Sequence, residues 1–169
     1  MEEKIILVDI NDKQIGTCEK MKAHKEALLH RAFSVLIFNQ DQILIQQRAK
    51  HKYHCGGLWA NTCCSHPREN ETLEEAVSRR LIEETGIACP VYEIGSFLYC
   101  APFDNGLTEY EIDHVFIGEY DGSLLPNYQE VEQLQWVSSE WLKQDLMENP
   151  DKYTPWFFTA FYMALEKKE

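Results

Sequence analysis

The sequence predicts a single α+β domain, an α/β/α sandwich in which a mixed β-sheet is flanked by helices. Three observations carry that expectation. Apolar, β-type runs recur along the chain with only a few helical patterns between them. One run, Ala32–Phe38 (AFSVLIF), is almost continuously apolar, as in a strand covered on both faces. Residues 72–85 carry helix start and stop signals: Thr72 with Glu75 reads as a capping box, and Gly86 follows the last turn.

The other elements follow in order. Ile5–Asp9 reads as a short strand, Asn11-Asp12-Lys13 as a turn and Gln14–Cys18 as a second strand. Lys20–Leu29 is polar and fits either a short helix or an irregular loop. After Ala32–Phe38, the turn residues Asn39-Gln40-Asp41 lead into a strand at Ile43–Gln47. In the helix at 72–85, Leu73, Ala76, Val77 and Leu81 form the apolar stripe. Val91–Ala101 and Glu109–Tyr120 are strands joined by residues 102–107, and Gln135–Val137 is a further strand. Ser138-Ser139-Glu140 caps a helix starting at Trp141, and a last helix spans Trp156–Lys167.

A length of 169 residues suits one domain, 1–169, with a sizeable core. The net charge of −12 argues against a nucleic-acid binder, although it leaves room for a local basic pocket. No apolar stretch approaches the ~18 residues of a membrane span, and the acidic N-terminus does not read as a signal peptide. The six cysteines include no Cys-x-x-Cys pair, so a reduced cytoplasmic protein is expected. On that reading Cys18, Cys55, Cys63, Cys89 and Cys100 are small core residues.

Two segments point to chemistry. In SHPRENETLEEAVSRRLIEETGI (65–87), Glu83 and Glu84 sit where the helix dipole disfavours them. A solvated face with Arg80 bonded to Glu84 is the plain explanation. In the strand Glu109–Tyr120, Glu109, Glu111 and Asp113 project from one face. Three like charges there require either solvent or a cation. Two of these carboxylates with His24, His30 and His66 would form a mixed nitrogen and oxygen site suited to Zn, Mn, Fe or Mg. His51, His54 and His114 read as ordinary surface or internally satisfied histidines.

The segment 65–87 resembles the Nudix signature, matching it at Glu71, Arg79, Leu81, Glu83, Glu84, Gly86 and Ile87. It departs where Ser65 replaces a glycine and Arg80 replaces a glutamate. Both departures disfavour the alternative activity, a Nudix pyrophosphohydrolase acting on nucleoside diphosphate derivatives. With Leu29-His30-Arg31-Ala32-Phe33-Ser34, Asn61-Thr62-Cys63-Cys64-Ser65-His66-Pro67, Tyr99 and Glu109-Tyr110-Glu111, the chain resembles the type I isopentenyl diphosphate isomerase branch of that family.

The resemblance implies a divalent metal (Mn²⁺, Zn²⁺ or Mg²⁺) on His24, His30, His66, Glu109 and Glu111. It implies a second ion, Mg²⁺, held by Glu84 and the Cys64 carbonyl and brought in with the substrate diphosphate. Lys20, Arg48, Lys52 and Arg80 would contact that diphosphate. The implied reaction moves a double bond between isopentenyl and dimethylallyl diphosphate through a tertiary cation. Cys64 on one side and Glu111, helped by Tyr99, on the other would exchange the protons. Some relatives carry an active-site Trp where this chain has Phe161, so Trp156 and Phe161 are both candidates to stabilise the cation through a π face. The expected partner is a prenyl diphosphate, in a monomer or weak dimer without nucleic acid or membrane. In an extended segment Cys64 and His66 share one face and Cys63 and Ser65 the other, so only Cys64 is expected to work.

Overall fold

The computed structural model describes residues 3–168. Nine strands among them join one mixed sheet organised around β3 (His30–Asn39). Before it, β1 (Lys4–Val8) and β2 (Gln14–Glu19) form a hairpin. The Asp9 carboxylate accepts the N–H groups of Asn11 and Lys13 in its turn. β3 runs back along β4 (Gln42–Arg48) through Gln40-Asp41, with Gln40 at φ 57°. Two short strands follow, β5 (Trp59–Ala60) and β6 (Cys63–Ser65). The edge strand β7 (Val91–Pro102) pairs with β8 (Thr108–Glu119), and β9 (Val131–Ser138) pairs with β4.

β3 is parallel to β8 from His30↔Glu111 to Phe38↔Glu119 and antiparallel to β6 from Phe33↔Ser65 to Val35↔Cys63. The two strands that frame the site thus lie on either side of β3.

Helices cover both faces, which is why β3 reads as a continuous apolar run. On one face α2 (Leu73–Thr85) packs Ala76, Val77 and Leu81 against Phe33, Val35, Ile37 and Phe116. On the other, α4 (Phe157–Lys168) packs Phe157, Ala160, Phe161 and Ala164 against Leu36, Phe38, Val115 and Ile117. Each fully buried large side chain of this kind stabilises the fold by roughly 1.5–3 kcal/mol. The expected α/β/α sandwich is present.

α2 has the expected capping box: Thr72 Oγ1 accepts from Glu75 N–H at 3.1 Å, and Thr72 N–H donates to Glu75 Oε2 at 3.4 Å. Gly86 ends the helix at φ 77°, where a Cβ would meet Leu125 at 2.7 Å. Both conformation and space therefore require glycine. α3 (Ser139–Glu148) starts at Ser138, whose hydroxyl accepts from Trp141 N–H.

The structure adjusts several expectations. Residues 20–25 form a short helix, α1 (Lys20–Lys25), with residues 26–29 outside it. β9 begins four residues before the anticipated strand because it pairs with β4 over that length. Cys18 and Cys63 are buried as expected, but Cys55 and Cys89 are half-buried and Cys100 is exposed. Cys100 sits on β7, which pairs only with β8, and the pleat turns it outward.

Candidate functional site

Four elements bring a cluster of imidazoles and carboxylates to one end of β3. α1 buries Ala23 and His24, β3 opens on His30, the chain leaving β6 supplies His66, and β8 supplies Glu109 and Glu111. The ligand atoms of His24, His30, His66 and Glu109 all lie within 4.8 Å of one another.

The ring nitrogens are set for a cation. His24 Nδ1 lies 2.6 Å from the Lys20 carbonyl and His30 Nδ1 lies 2.9 Å from the Leu28 carbonyl. A carbonyl only accepts, so each Nδ1 carries the hydrogen and each Nε2 presents its lone pair inward. His30 Nε2 and Glu109 Oε2 are buried and lack a hydrogen-bond partner, although His30 Nε2 lies 3.3 Å from Glu111 Oε2. Orphaned, convergent atoms of this type fit a divalent cation with mixed nitrogen and oxygen ligands.

Protonation in the cluster is strongly divided. Burial pushes both carboxyls up, but the imidazoles of His24, His30 and His54 packed against it reverse this at Glu109 and hold it well below the usual range. Glu111, buried beside that charge, goes well above it. Burial also drives His66 well below the ordinary imidazole value, which leaves its ring neutral. Farther along β8, burial outweighs the 2.8 Å hydrogen bond from Ser34 and raises Asp113 to about 7.

His66, Glu109 and Glu111 of the cluster line a cleft. Cys64 and Glu111 both line it, as do Lys20, Arg48, Lys52 and Arg80, which make a cationic rim on an acidic protein. Burial raises the Cys64 thiol to about 12 although Arg48 Nη1 lies 3.6 Å from its sulfur. Arg80 bonds Glu84 at 3.0 Å, as the helix spacing suggested. Lys52 pairs with Glu130 and Arg80 also lies 3.5 Å from it. Glu84 is buried under this rim and accepts from Gln46 Nε2 at 3.1 Å and the Cys63 thiol at 3.2 Å. Glu71 clamps Arg79 with two bonds of 2.6 and 3.0 Å, fixing the loop before α2.

The aromatic candidates separate. Trp156 lines the cleft, its indole N–H donating to Asn61 Oδ1 at 3.1 Å and its ring facing the Arg48 guanidinium at 5.5 Å. Phe161 is fully buried in the core under α4 and does not line the cleft. Tyr99 stands opposite Glu111 in the β7–β8 ladder, with its ring 6.1 Å from Trp156 and its hydroxyl buried without a partner.

The pleat divides the neighbouring cysteines as expected, with Cys64 and His66 lining the cleft and Cys63 in the core, but Ser65, expected on the Cys63 face, lines the cleft too, where β6 ends. Cys63 is nevertheless more than filler, because its thiol touches Glu84. His114 Nδ1 bonds Glu93 and its Nε2 lies 2.7 Å from Asp12, and His51 is exposed, as expected. His54 is a correction: it is buried, lines the cleft and bonds Glu109. Nothing in its sequence spacing marks it, beyond its place two residues after Lys52.

Similarity to known proteins agrees with this geometry. The NUDIX domain family model matches residues 28–157. The Burkholderia multivorans isopentenyl-diphosphate delta-isomerase is 48% identical, with 93% of this chain and 90% of that protein covered. An Aromatoleum aromaticum isopentenyl-diphosphate delta-isomerase 1 is 50% identical over 92% of this chain and 89% of that protein. The chain belongs to the type I isopentenyl-diphosphate delta-isomerase family of Nudix proteins. The same fold recurs in a Deinococcus radiodurans crystal structure at TM-score 0.76 and 19% identity, covering 96% of this chain and 98% of that one. As an isomerase-family Nudix protein, the chain carries arginine at position 80, where the Nudix signature has a glutamate. That exchange puts a cation on the rim of the cleft.

Proposed function

We propose that the protein interconverts isopentenyl and dimethylallyl diphosphate, with Cys64 and Glu111 as the proton-transfer pair. The observation that carries this assignment is their placement on β6 and β8, flanking β3 and lining one cleft. The isomerisation needs a proton delivered at C4 and another removed at C2, so the charge created at C3 is transient. One group gives a proton while the other takes one, and the reverse reaction exchanges their roles. Glu111 is buried and Cys64 half-buried, which limits the access of competing water to the cation.

His24, His30, His66, Glu109 and Glu111 would hold a divalent cation, either Mn²⁺, Zn²⁺ or Mg²⁺. Bound there, the cation would supply positive charge that lowers the proton affinity of Glu111. Tyr99, across the ladder from Glu111, places a buried hydroxyl on the same side. Trp156 offers its π face to the C3 cation, and its bond to Asn61 fixes the ring beforehand. Lys20, Arg48, Lys52 and Arg80 would bind the diphosphate, and Glu84 with the Cys64 carbonyl would hold the Mg²⁺ that accompanies it. All six cysteines are free and no described helix is long and apolar enough to cross a membrane. These facts support a cytoplasmic enzyme, working as a monomer or weak dimer.

The test is incubation with isopentenyl diphosphate and Mg²⁺ in deuterium oxide. Label should enter the prenyl group without release of phosphate. Cys64→Ala should lower the rate about 10²- to 10⁴-fold, whereas Cys63→Ala should retain most of it. Phosphate release, or full activity of Cys64→Ala, would overturn the assignment.

A further inference from the structure

His54 belongs to none of the roles above, yet its ring meets the same oxygen of Glu109 that His24 contacts. His24 Nε2 lies 3.0 Å from Glu109 Oε1, and His54 Nε2 bonds that atom as well. Glu109 Oε2 is left buried and free of hydrogen bonds, on the side of His30 at 3.6 Å. The two oxygens therefore have different surroundings, and His54 lies only on the Oε1 side.

His54 differs from His24 and His30 in how its hydrogen is placed. Their Nδ1 atoms face backbone carbonyls, which reserves Nε2 as a lone pair. His54 Nδ1 is buried with no partner, so nothing draws the hydrogen away from Nε2. A neutral ring that carries its hydrogen on Nε2 donates to the Glu109 carboxylate rather than competing for a cation.

Its orientation is firmly held. The ring is 6% exposed and stacks on Phe103 at 4.9 Å with a 13° interplanar angle. Tyr53 and Trp156 abut it edgewise at 4.2 and 5.9 Å, and its carbonyl accepts from Arg48 Nη2. Such packing on three sides fixes the direction of the donor.

We infer that His54 is a positioning residue of the metal centre, donating Nε2–H to Glu109 Oε1 so that Oε2 turns toward the cation. This rests on the metal-centre reading above. Outer hydrogen bonds to ligating carboxylates of this kind change metal affinity about 10- to 100-fold.

Metal-free protein titrated calorimetrically with Mn²⁺ or Zn²⁺ tests the inference without any activity measurement. His54→Phe keeps a ring on Phe103 and removes the donor. It should weaken binding about 10- to 100-fold at unchanged stoichiometry. His54→Gln restores an N–H near the same point and should recover most of that loss. Should His54→Phe fail to fold, as judged by melting of the metal-free protein, His54→Leu is the donor-free variant to compare with His54→Gln. The visible spectrum of the Co²⁺ form should keep its band positions in every folded variant, because no ligand is lost. Donor-free variants that bind within twofold of the parent overturn the inference, as does a His54→Gln no better than they are. A Co²⁺ spectrum showing one nitrogen ligand fewer overturns it as well, because His54 would then be a ligand itself. A parent protein that binds no cation at the cluster defeats the metal-centre reading instead.

Discussion

One face of β8 contains two regions that share a backbone and a depth but not a chemistry. Glu109, Glu111 and Asp113 occupy the first half at 2%, 6% and 1% exposure, and Val115 and Ile117 continue the same row at 0% and 3%. The second half packs on Phe157 and Phe161 and returns the free energy of apolar burial. The first half buries carboxylates, which costs stability unless partners or a cation offset it. Stability is therefore made at one end of the strand and consumed at the other, where three acids and four imidazoles are kept out of water.

The comparison can be broken most directly from its apolar end. Phe161→Ala should cost about 3–5 kcal/mol in urea denaturation, while metal affinity stays that of the parent. A large loss of metal affinity would show that the two halves are not separate, and would return Phe161 to the site.

A smaller effect is expected at Asp113, through pH. Its carboxyl is raised from 3.8 to about 7 in the folded chain, by burial first and the Glu109 charge, against the Ser34 bond. The folded state therefore holds a proton that the unfolded chain has released. The stability linked to that proton is complete below about pH 4 and is lost as pH rises to about 7. In metal-free protein, Asp113→Asn should flatten this part of the stability profile and be the more stable variant at pH 8. An unchanged slope between pH 4 and 7 would show that Asp113 is ionised throughout.

The smallest effect sharpens the boundary between the halves. Ser34→Ala removes the 2.8 Å bond to Asp113 and should cost about 1 kcal/mol, read from the urea midpoint at pH 8. A cost near zero would place water, rather than Ser34, as the partner of that carboxylate.

Much of this was legible in the sequence because it lies in local pattern. The apolar run of β3, the capping box of α2 and the alternation on β8 are each set by neighbours in the chain. So is the separation of Cys63 from Cys64, which follows from the pleat alone. The four cations of the rim came instead through family resemblance, since residues as distant as Lys20 and Arg80 meet only after folding, whereas His24, His30 and His66 were already candidates for a mixed nitrogen and oxygen site. Spacing could not show that the acids of β8 are buried rather than at an exposed edge, because that depends on α1 closing over them. Nor could it reveal His54, whose partner Glu109 is 55 positions away. Phe161 and Trp156 were indistinguishable for the same reason: Phe161 lies within α4 and faces the core, whereas Trp156 lies just before the helix and reaches the cleft.

The positions of the four converging ligands also bear on how the chain holds together. Residues 24, 30, 66 and 109 come from α1, β3, the end of β6 and β8, and span 85 positions. A cation bound among them would act as a reversible cross-link that closes several long loops at once. Such a link favours the folded state in proportion to metal activity and draws on the loop entropy of the unfolded chain. The short helix α1, with only Ala23 and His24 buried, would gain the most from it. Metal supply would then govern the integrity of the N-terminal wall of the cleft as well as its chemistry.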